Sequence, residues 1–449
     1  MVNLHAVTSA PLARRLDLRD AVVIGASSMI GAGVFAVFAP ASRAAGPWLL
    51  AGLAVAVVVA LCNATSTAQL AATYPTSGGA YVYGRERLGP WSGFSAGWSF
   101  VIGKTASCAA MATTFAAYTV PGPWQRPVAA AAVVALTAVS WRGVTRTAGL
   151  ARVILAVVLV AIALALAGAW LGGATGPLLE GGAGPGAAGT PGGGGGTTAP
   201  GAPSAVGPLD VLQSAGLIFF ALAGYARIAT LGEEVREPRA TIPRAIVATL
   251  LGVATLYAVV AVTVLSVLGP EGLARSGAPL ADAVAAGSWD WAVPVVRVGA
   301  AAASLGALLA LLAGVGRTTL AMARNHDLPG VLAAVHPRFH VPHRAEAAVA
   351  AVVVVAVLVA DLRELIGFSS VGVLLYYAVA NLSAFTQGPD HRLYPRWVQV
   401  LGAVGCVALV LTLPAASLAA ALGVLAVGLG YRLVRRPGRA APAGPTLDG

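Results

Sequence analysis

The chain has 449 residues, 58% of them hydrophobic and only 10% charged, with a mean hydropathy of +0.82. Soluble domains usually carry about 25% charged residues, so this composition excludes a water-soluble enzyme and a string of soluble domains. The net charge of +11 comes almost wholly from arginine, Lys104 being the one lysine; these cations stand singly between apolar runs, which suits lipid headgroups and argues against a nucleic-acid partner.

A helix needs about 20 apolar residues to cross the hydrocarbon core. By that ruler the predicted spans, in chain order, fall at 20–43, 46–72, 91–120, 127–141, 150–171, 210–232, 244–268, 291–317, 345–360, 365–386, 396–412 and 414–433. The reading is therefore an all-α integral membrane protein of about twelve transmembrane helices. Cys62, Cys108 and Cys406 fall in different spans without metal-ligand spacing and read as buried small hydrophobes. No cofactor is implied.

Arginines concentrate in alternate loops, as in Arg14, Arg15 and Arg19, Arg85 and Arg87, Arg236, Arg239 and Arg244, and Arg432, Arg435 and Arg436. Cytoplasmic loops hold the excess of Lys and Arg, so both termini are expected in the cytoplasm of a cell whose plasma or inner membrane the protein spans. This divides the chain into a cytoplasmic tail at 1–19, a transmembrane domain at 20–436 and a second cytoplasmic tail at 437–449. Within the domain, 172–208 is a Gly-, Ala-, Pro- and Thr-rich stretch with too few large apolar side chains to offset ordering entropy, read as a flexible extracellular loop.

Two spans contain a weak point near mid-membrane. The first reads Ile24-Gly25-Ala26-Ser27-Ser28-Met29-Ile30-Gly31-Ala32-Gly33, and the sixth reads Phe219-Phe220-Ala221-Leu222-Ala223-Gly224-Tyr225; each interior glycine weakens a helix by about 1 kcal/mol relative to alanine. Gly31 lies as far beyond Asp20 as Ala221 lies beyond Asp210. A helix broken there frees backbone groups that lipid cannot satisfy, tolerated only where they line a polar cavity. The amides around Gly31, Ala32 and Gly33, at the positive end of a half-helix, suit a carboxylate. Carbonyls of Met29, Phe220, Ala221 and Ala223, beside Gly224, suit an ammonium. The alternative is that these small residues only let helices pack closely.

Four stretches carry a family likeness: Ile30-Gly31-Ala32-Gly33-Val34-Phe35; Tyr74 to Tyr83, reading YPTSGGAYVY; Phe219 to Pro243, reading FFALAGYARIATLGEEVREPRATIP; and Arg317 to Pro329, reading RTTLAMARNHDLP. In these the sequence resembles the amino acid–polyamine–organocation (APC) superfamily of permeases. The resemblance implies a 5+5 inverted repeat with discontinuous helices 1 and 6, plus two extra helices, and a substrate held between spans one and six. It further implies secondary active transport of amino acids or related amines by alternating access, as a proton symporter or exchanger, with no chemistry on the cargo. Two departures stand out. Ala226 follows Tyr225 where many relatives carry an acid, and the fifth span lacks the lysine that some relatives place at the sodium-like position.

Charged residues within the spans are candidates for coupling or gating. Lys104 lies roughly 20 Å into span three, where a charge is costly without a partner or cavity. It reads either as a proton carrier or as a lysine tethered to backbone carbonyls. Arg227, just beyond the weak point in span six, either meets an anionic group of the cargo or pairs with Glu233 or Glu234. The latter two begin a charged stretch that the resemblance makes a hinge of the inner gate. The competing function is an amino-acid sensor that binds without net transport.

Overall fold

A computed structural model describes residues 16–74, 78–142, 148–173, 206–231 and 234–435. Residues 1–15 of the first tail, the whole of the second, nearly all of the glycine-rich loop and Glu233 lie outside the described residues.

Among the described residues the regular secondary structure is helical, apart from one isolated bridge between Leu16 and Val235. The first apolar segment is three helices, α1 (Leu18–Met29), α2 (Gly33–Ala36) and α3 (Phe38–Ala45). It is followed by α4 (Leu49–Thr73), a short α5 (Gly79–Leu88), α6 (Pro90–Thr119), α7 (Gly122–Trp141) and α8 (Ala148–Leu171). After the glycine-rich stretch come α9 (Pro208–Leu222), a single 3₁₀ turn at Ala223–Tyr225, α10 (Ala226–Ala229), α11 (Pro238–Arg275) and α12 (Pro279–Ala285). The chain closes with α13 (Val293–Arg324), α14 (His343–Val359), α15 (Leu362–Phe385), α16 (Arg396–Thr412) and α17 (Ala415–Val434).

Among the described residues nine helical segments are long and apolar enough to cross a membrane. Three further helices, α7, α14 and α16, stand where the sequence placed spans four, nine and eleven. Both α14 and α16 have 17 residues, short of the usual span, while α7 opens on the polar run Gly122-Pro123-Trp124-Gln125-Arg126. Two helices escape a hydropathy ruler altogether. One is α5, which lies between two spans and ends in Arg85 and Arg87; the other is α12, which follows a bend at the end of span seven. That bend sits at Gly269, with φ 68° and ψ 170° inside α11, a conformation open to glycine and costly for any side chain.

The outer surface is apolar. Val134, Val153, Val298, Val352, Val359, Leu411 and Val427 are each more than half exposed, an arrangement that water would penalise and acyl chains accept. Exposed tryptophans sort to the two ends of the bundle: Trp48, Trp124, Trp170 and Trp291 at one, Trp91, Trp141 and Trp397 at the other. Such aromatic girdles mark the two interfaces of a bilayer.

Inside, α6 packs against α13 and α15, and these three long helices form a scaffold around the broken ones. Buried amides tie α15 to the second span: Asn381 Nδ2 donates to Asn63 Oδ1 at 2.6 Å, and Gln69 Nε2 donates to Gln387 Oε1 at 2.7 Å. At the arginine-rich end, Asp327 is 4% exposed and accepts from Tyr81 Oη at 2.8 Å, from Arg85 Nη1 at 3.1 Å and from Arg432 Nη1. Burial first, and then the bond to Asp327, push the Tyr81 phenol above its usual pKa, so it stays a donor. Arg432 also lies over the rings of Trp91 and Phe94, with centroid distances of 5.1 and 4.7 Å. One aspartate thus joins α5, the end of α13 and the last helix. It belongs to the stretch Arg317 to Pro329 that carried part of the family likeness.

Candidate functional site

Span one breaks after Met29, where α1 ends and Ile30, Gly31 and Ala32 leave the helix before α2 begins. Each half starts or stops for a local reason. Asp17 caps α1, its side chain accepting from Asp20 N at 2.8 Å in a reciprocal capping box. At the other end, Ile30 N still reaches Ala26 O at 2.7 Å, after which the helical ladder is lost. Among the described residues no hydrogen bond engages the amides of Gly31, Ala32 or Gly33, although all three residues are buried. Buried donors without partners are rare and costly. Three such donors stand in succession at the start of α2.

Span six runs in the opposite sense. Asp210 stabilises the start of α9 by accepting from Gly207 N at 2.9 Å. The helix ends at Leu222 and tightens into the 3₁₀ turn Ala223–Tyr225. The irregularity therefore falls slightly later than the Ala221 position the sequence pointed to. It is also milder than the break in span one, because the backbone stays close to helical angles through the turn.

The two weak points meet. A Cβ on Gly33 would lie 2.7 Å from that of Ala221, and a Cβ on Gly224 would lie 2.6 Å from Ser28 O and 2.7 Å from Met29 Cγ. Thus Met29, Gly33, Ala221 and Gly224 come together. Gly31 instead faces the scaffold, where a Cβ would lie 2.9 Å from that of Ala307 in α13. Ala32, Phe220 and Ala223 are buried in the same core.

Two of the carbonyls assigned to an ammonium already have donors. Tyr257 Oη, from α11, donates to Met29 O at 2.6 Å, and Tyr377 Oη, from α15, donates to Ala223 O at 3.0 Å. A carbonyl has two lone pairs, so Met29 O, past which the helical ladder is lost, retains one. Tyr225 stacks on Tyr377 at a centroid distance of 5.1 Å, and Phe219 meets Tyr377 edge-on at 5.8 Å. These tyrosines were not singled out as site residues. The one signal in the sequence is a phenol in the middle of an apolar span, which needs a partner when buried.

On one side of the breaks lie aromatic and backbone contacts. Tyr118 Oη donates to Phe35 O at 3.2 Å, and Phe38 packs edge-on to Tyr257 at 6.1 Å. Ser42 Oγ donates to Pro270 O at 2.9 Å, and Arg43 Nε donates to Ala274 O, tying α3 to the end of α11. On the other side, Leu16 N donates to Glu234 O at 3.0 Å and Arg236 N donates to Leu16 O at 2.9 Å. Arg152 of α8 forms an ion pair with Asp20.

The charged candidates separate. Lys104 is 8% exposed, and no hydrogen bond or ion pair engages it among the described residues. Arg227 is exposed and donates to Thr230 Oγ1 at 3.4 Å; among the described residues it forms no ion pair, with Glu234 or any other acid. The backbone of Glu234 instead takes part in the bridge to Leu16.

A lipid-facing bundle of helices, with two irregular ones meeting in its interior, defines a multi-pass membrane protein of the transporter class. The chain belongs to the amino acid permease family, whose pattern it matches over residues 16–430. It is 53% identical over 434 residues to an uncharacterized transporter of Mycobacterium tuberculosis, covering 95% of this chain and 92% of that one. It is also 28% identical to the cationic amino acid transporter 7, chloroplastic, of Arabidopsis thaliana, across 86% of this chain and 67% of the relative. With the methylthioribose transporter of Bacillus subtilis it shares 28% identity, across 75% and 73% of the two chains.

Proposed function

We propose that this protein is a secondary transporter that moves amino acids or related amines across the cell membrane by alternating access, as a proton symporter or an exchanger. The observation that carries the reading is the row of unbonded, buried amides at Gly31, Ala32 and Gly33, set against the end of α9. In this account the cargo carboxylate satisfies those amides. Its ammonium takes the free lone pair on Met29 O and the last carbonyls of α9, including Phe220 and Ala221, beside Ala223. No charged side chain is needed to hold the zwitterion.

The same reading counts twelve spans in two inverted five-helix halves with two additional helices, and places both termini in the cytoplasm. The opposite sense of spans one and six, each opened by an aspartate at its third helical position, supports the inversion. Alternating access would then open one of the two closures at a time, the Phe35–Tyr118 side or the Leu16–Val235 side.

The test is accumulation of labelled amino acids in proteoliposomes under a proton gradient, and by exchange against a preloaded pool. A transporter concentrates or exchanges label; a sensor binds it without accumulation. Gly33→Leu should abolish uptake while the protein remains inserted and monodisperse, because the added side chain collides with Ala221. Full uptake by that variant would remove Gly33 from the site.

A further inference from the structure

At the end of the bundle opposite the arginine-rich one, a cavity of about 400 Å³ lies between the end of α6, the start of α7, the turn before α12 and the start of α13. Two of its walls carry opposite charges. Asp282, in the first turn of α12, and Arg297, near the start of α13, both line it, and both are half-buried. The ion pairs among the described residues are Arg85–Asp327, Arg152–Asp20 and Arg432–Asp327, so Asp282 and Arg297 are paired neither with each other nor with another charge. Neutral groups hold them in place instead. Ser276 Oγ donates to Asp282 Oδ2 at 2.6 Å, and Arg297 Nη1 donates to Tyr118 O at 3.2 Å. That leaves Asp282 Oδ1 and Arg297 Nη2 without a hydrogen bond among the described residues.

A carboxylate accepts from an ammonium, and the planar fork of a guanidinium matches a carboxylate. A simple anion or cation satisfies one wall of this cavity only. An amino acid carries both charged groups on one carbon and satisfies both walls, and the volume falls within the range of small-molecule sites, about 300–1,000 Å³. The position also fits. Arg297 holds the carbonyl of Tyr118, whose hydroxyl donates to Phe35 O at 3.2 Å and whose ring meets Phe35 edge-on at 5.6 Å. Phe35 belongs to α2, two residues past Gly33, and α12 packs on the same short helix. The charged pair thus adjoins the Phe35–Tyr118 contact on one side of the breaks.

Resting on the transport reading above, we propose that Asp282 and Arg297 form a second binding site for the charged ends of an amino acid, beside the Phe35–Tyr118 contact. Arg297 takes the carboxylate and Asp282 the ammonium. The site gathers cargo at this face of the membrane before Phe35 and Tyr118 part. Because the guanidinium that receives the carboxylate also holds Tyr118 O, occupancy of the outer site bears directly on the residue that keeps the contact closed.

The test uses proteoliposomes of the full chain and labelled L-alanine, L-glutamate and L-arginine, taking forward whichever the unmodified protein accumulates. Asp282→Asn keeps an acceptor for Ser276, and Arg297→Gln keeps a donor for Tyr118 O, so each removes a charge without stripping the local bond. The expected result is a rise of roughly tenfold in KM for transport from this face, equivalent to losing one hydrogen bond to a charged group. The maximal rate, the KM from the opposite face and the melting temperature should match the unmodified protein, and Asp282→Glu and Arg297→Lys should recover part of the loss. An unchanged KM in both charge-removing variants of a protein that still transports would overturn the second site and leave the transport reading intact. A lower maximal rate or melting temperature with KM unchanged would overturn it equally, since that pattern marks a structural role alone. Accumulation of none of the three amino acids by the unmodified protein would overturn the transport reading and this inference with it.

Discussion

Replacing Gly224 by alanine forces apart the two irregular spans at their point of contact. The new methyl would lie 2.6 Å from Ser28 O and 2.7 Å from both Ser28 C and Met29 Cγ. Comfortable contact needs about 3.5 Å, so the turn must retreat by roughly 0.8 Å, and two of the three obstacles are backbone atoms that cannot swing aside. Overpacking of this kind costs about 1–3 kcal/mol, which at about 1.4 kcal/mol per decade disfavours the packed arrangement by roughly 5- to 140-fold. The initial rate of uptake in proteoliposomes should fall accordingly, and the melting temperature in detergent should drop with it. Gly252→Ala is the matched control: a Cβ there meets nothing within 4 Å, so that variant should transport normally and melt no lower. A Gly224→Ala protein indistinguishable from the control in both assays would show that spans one and six do not depend on this contact, and the shared site would go with it.

Tyr257→Phe removes the donor that holds Met29 O, leaving a buried carbonyl short of a partner at a cost of about 1–3 kcal/mol. A lower melting temperature that added cargo partly restores is the expected outcome, since an ammonium can replace the phenol. Asp327→Asn strips the charge shared by Arg85 and Arg432; breaking a buried pair costs about 3–5 kcal/mol, so thermal unfolding should shift strongly even without cargo. An unchanged melting curve would mean that the cluster does not hold α17 in place. If Lys104 carries the coupling proton, Lys104→Ala should flatten the pH dependence of uptake, while an intact pH response would leave it a structural tether.

How far the sequence could be read follows from what each signal measures. Apolar length located every long helix, because the hydrocarbon core sets that length and leaves little choice. The same ruler is blind to α5 and α12, which do not span. Glycine spacing located the break in span one, where α1 does end at Met29. Span six was placed less well, because a 3₁₀ turn at Ala223–Tyr225 keeps near-helical angles and needs no second glycine. The tyrosines were illegible for another reason. Tyr257 and Tyr377 meet Met29 and Ala223 across more than 150 residues of chain, and nothing local says which face of its helix a phenol occupies. Asp327 poses the same difficulty, since Arg85 and Arg432 reach it from opposite ends of the chain. Arg227, read either as a contact for an anionic cargo group or as a partner of Glu233 or Glu234, donates to Thr230 Oγ1 and forms no ion pair among the described residues.

The central claim is that main-chain groups exposed at the two irregular spans grip both ends of a zwitterion. A cryo-electron microscopy map of the protein in nanodiscs, saturated with an amino acid that it transports, tests this most directly. The account predicts ligand density with its carboxylate at the Gly31, Ala32 and Gly33 amides and its ammonium at the end of α9. Ligand density elsewhere in the bundle, with those three amides still unbonded, would contradict it.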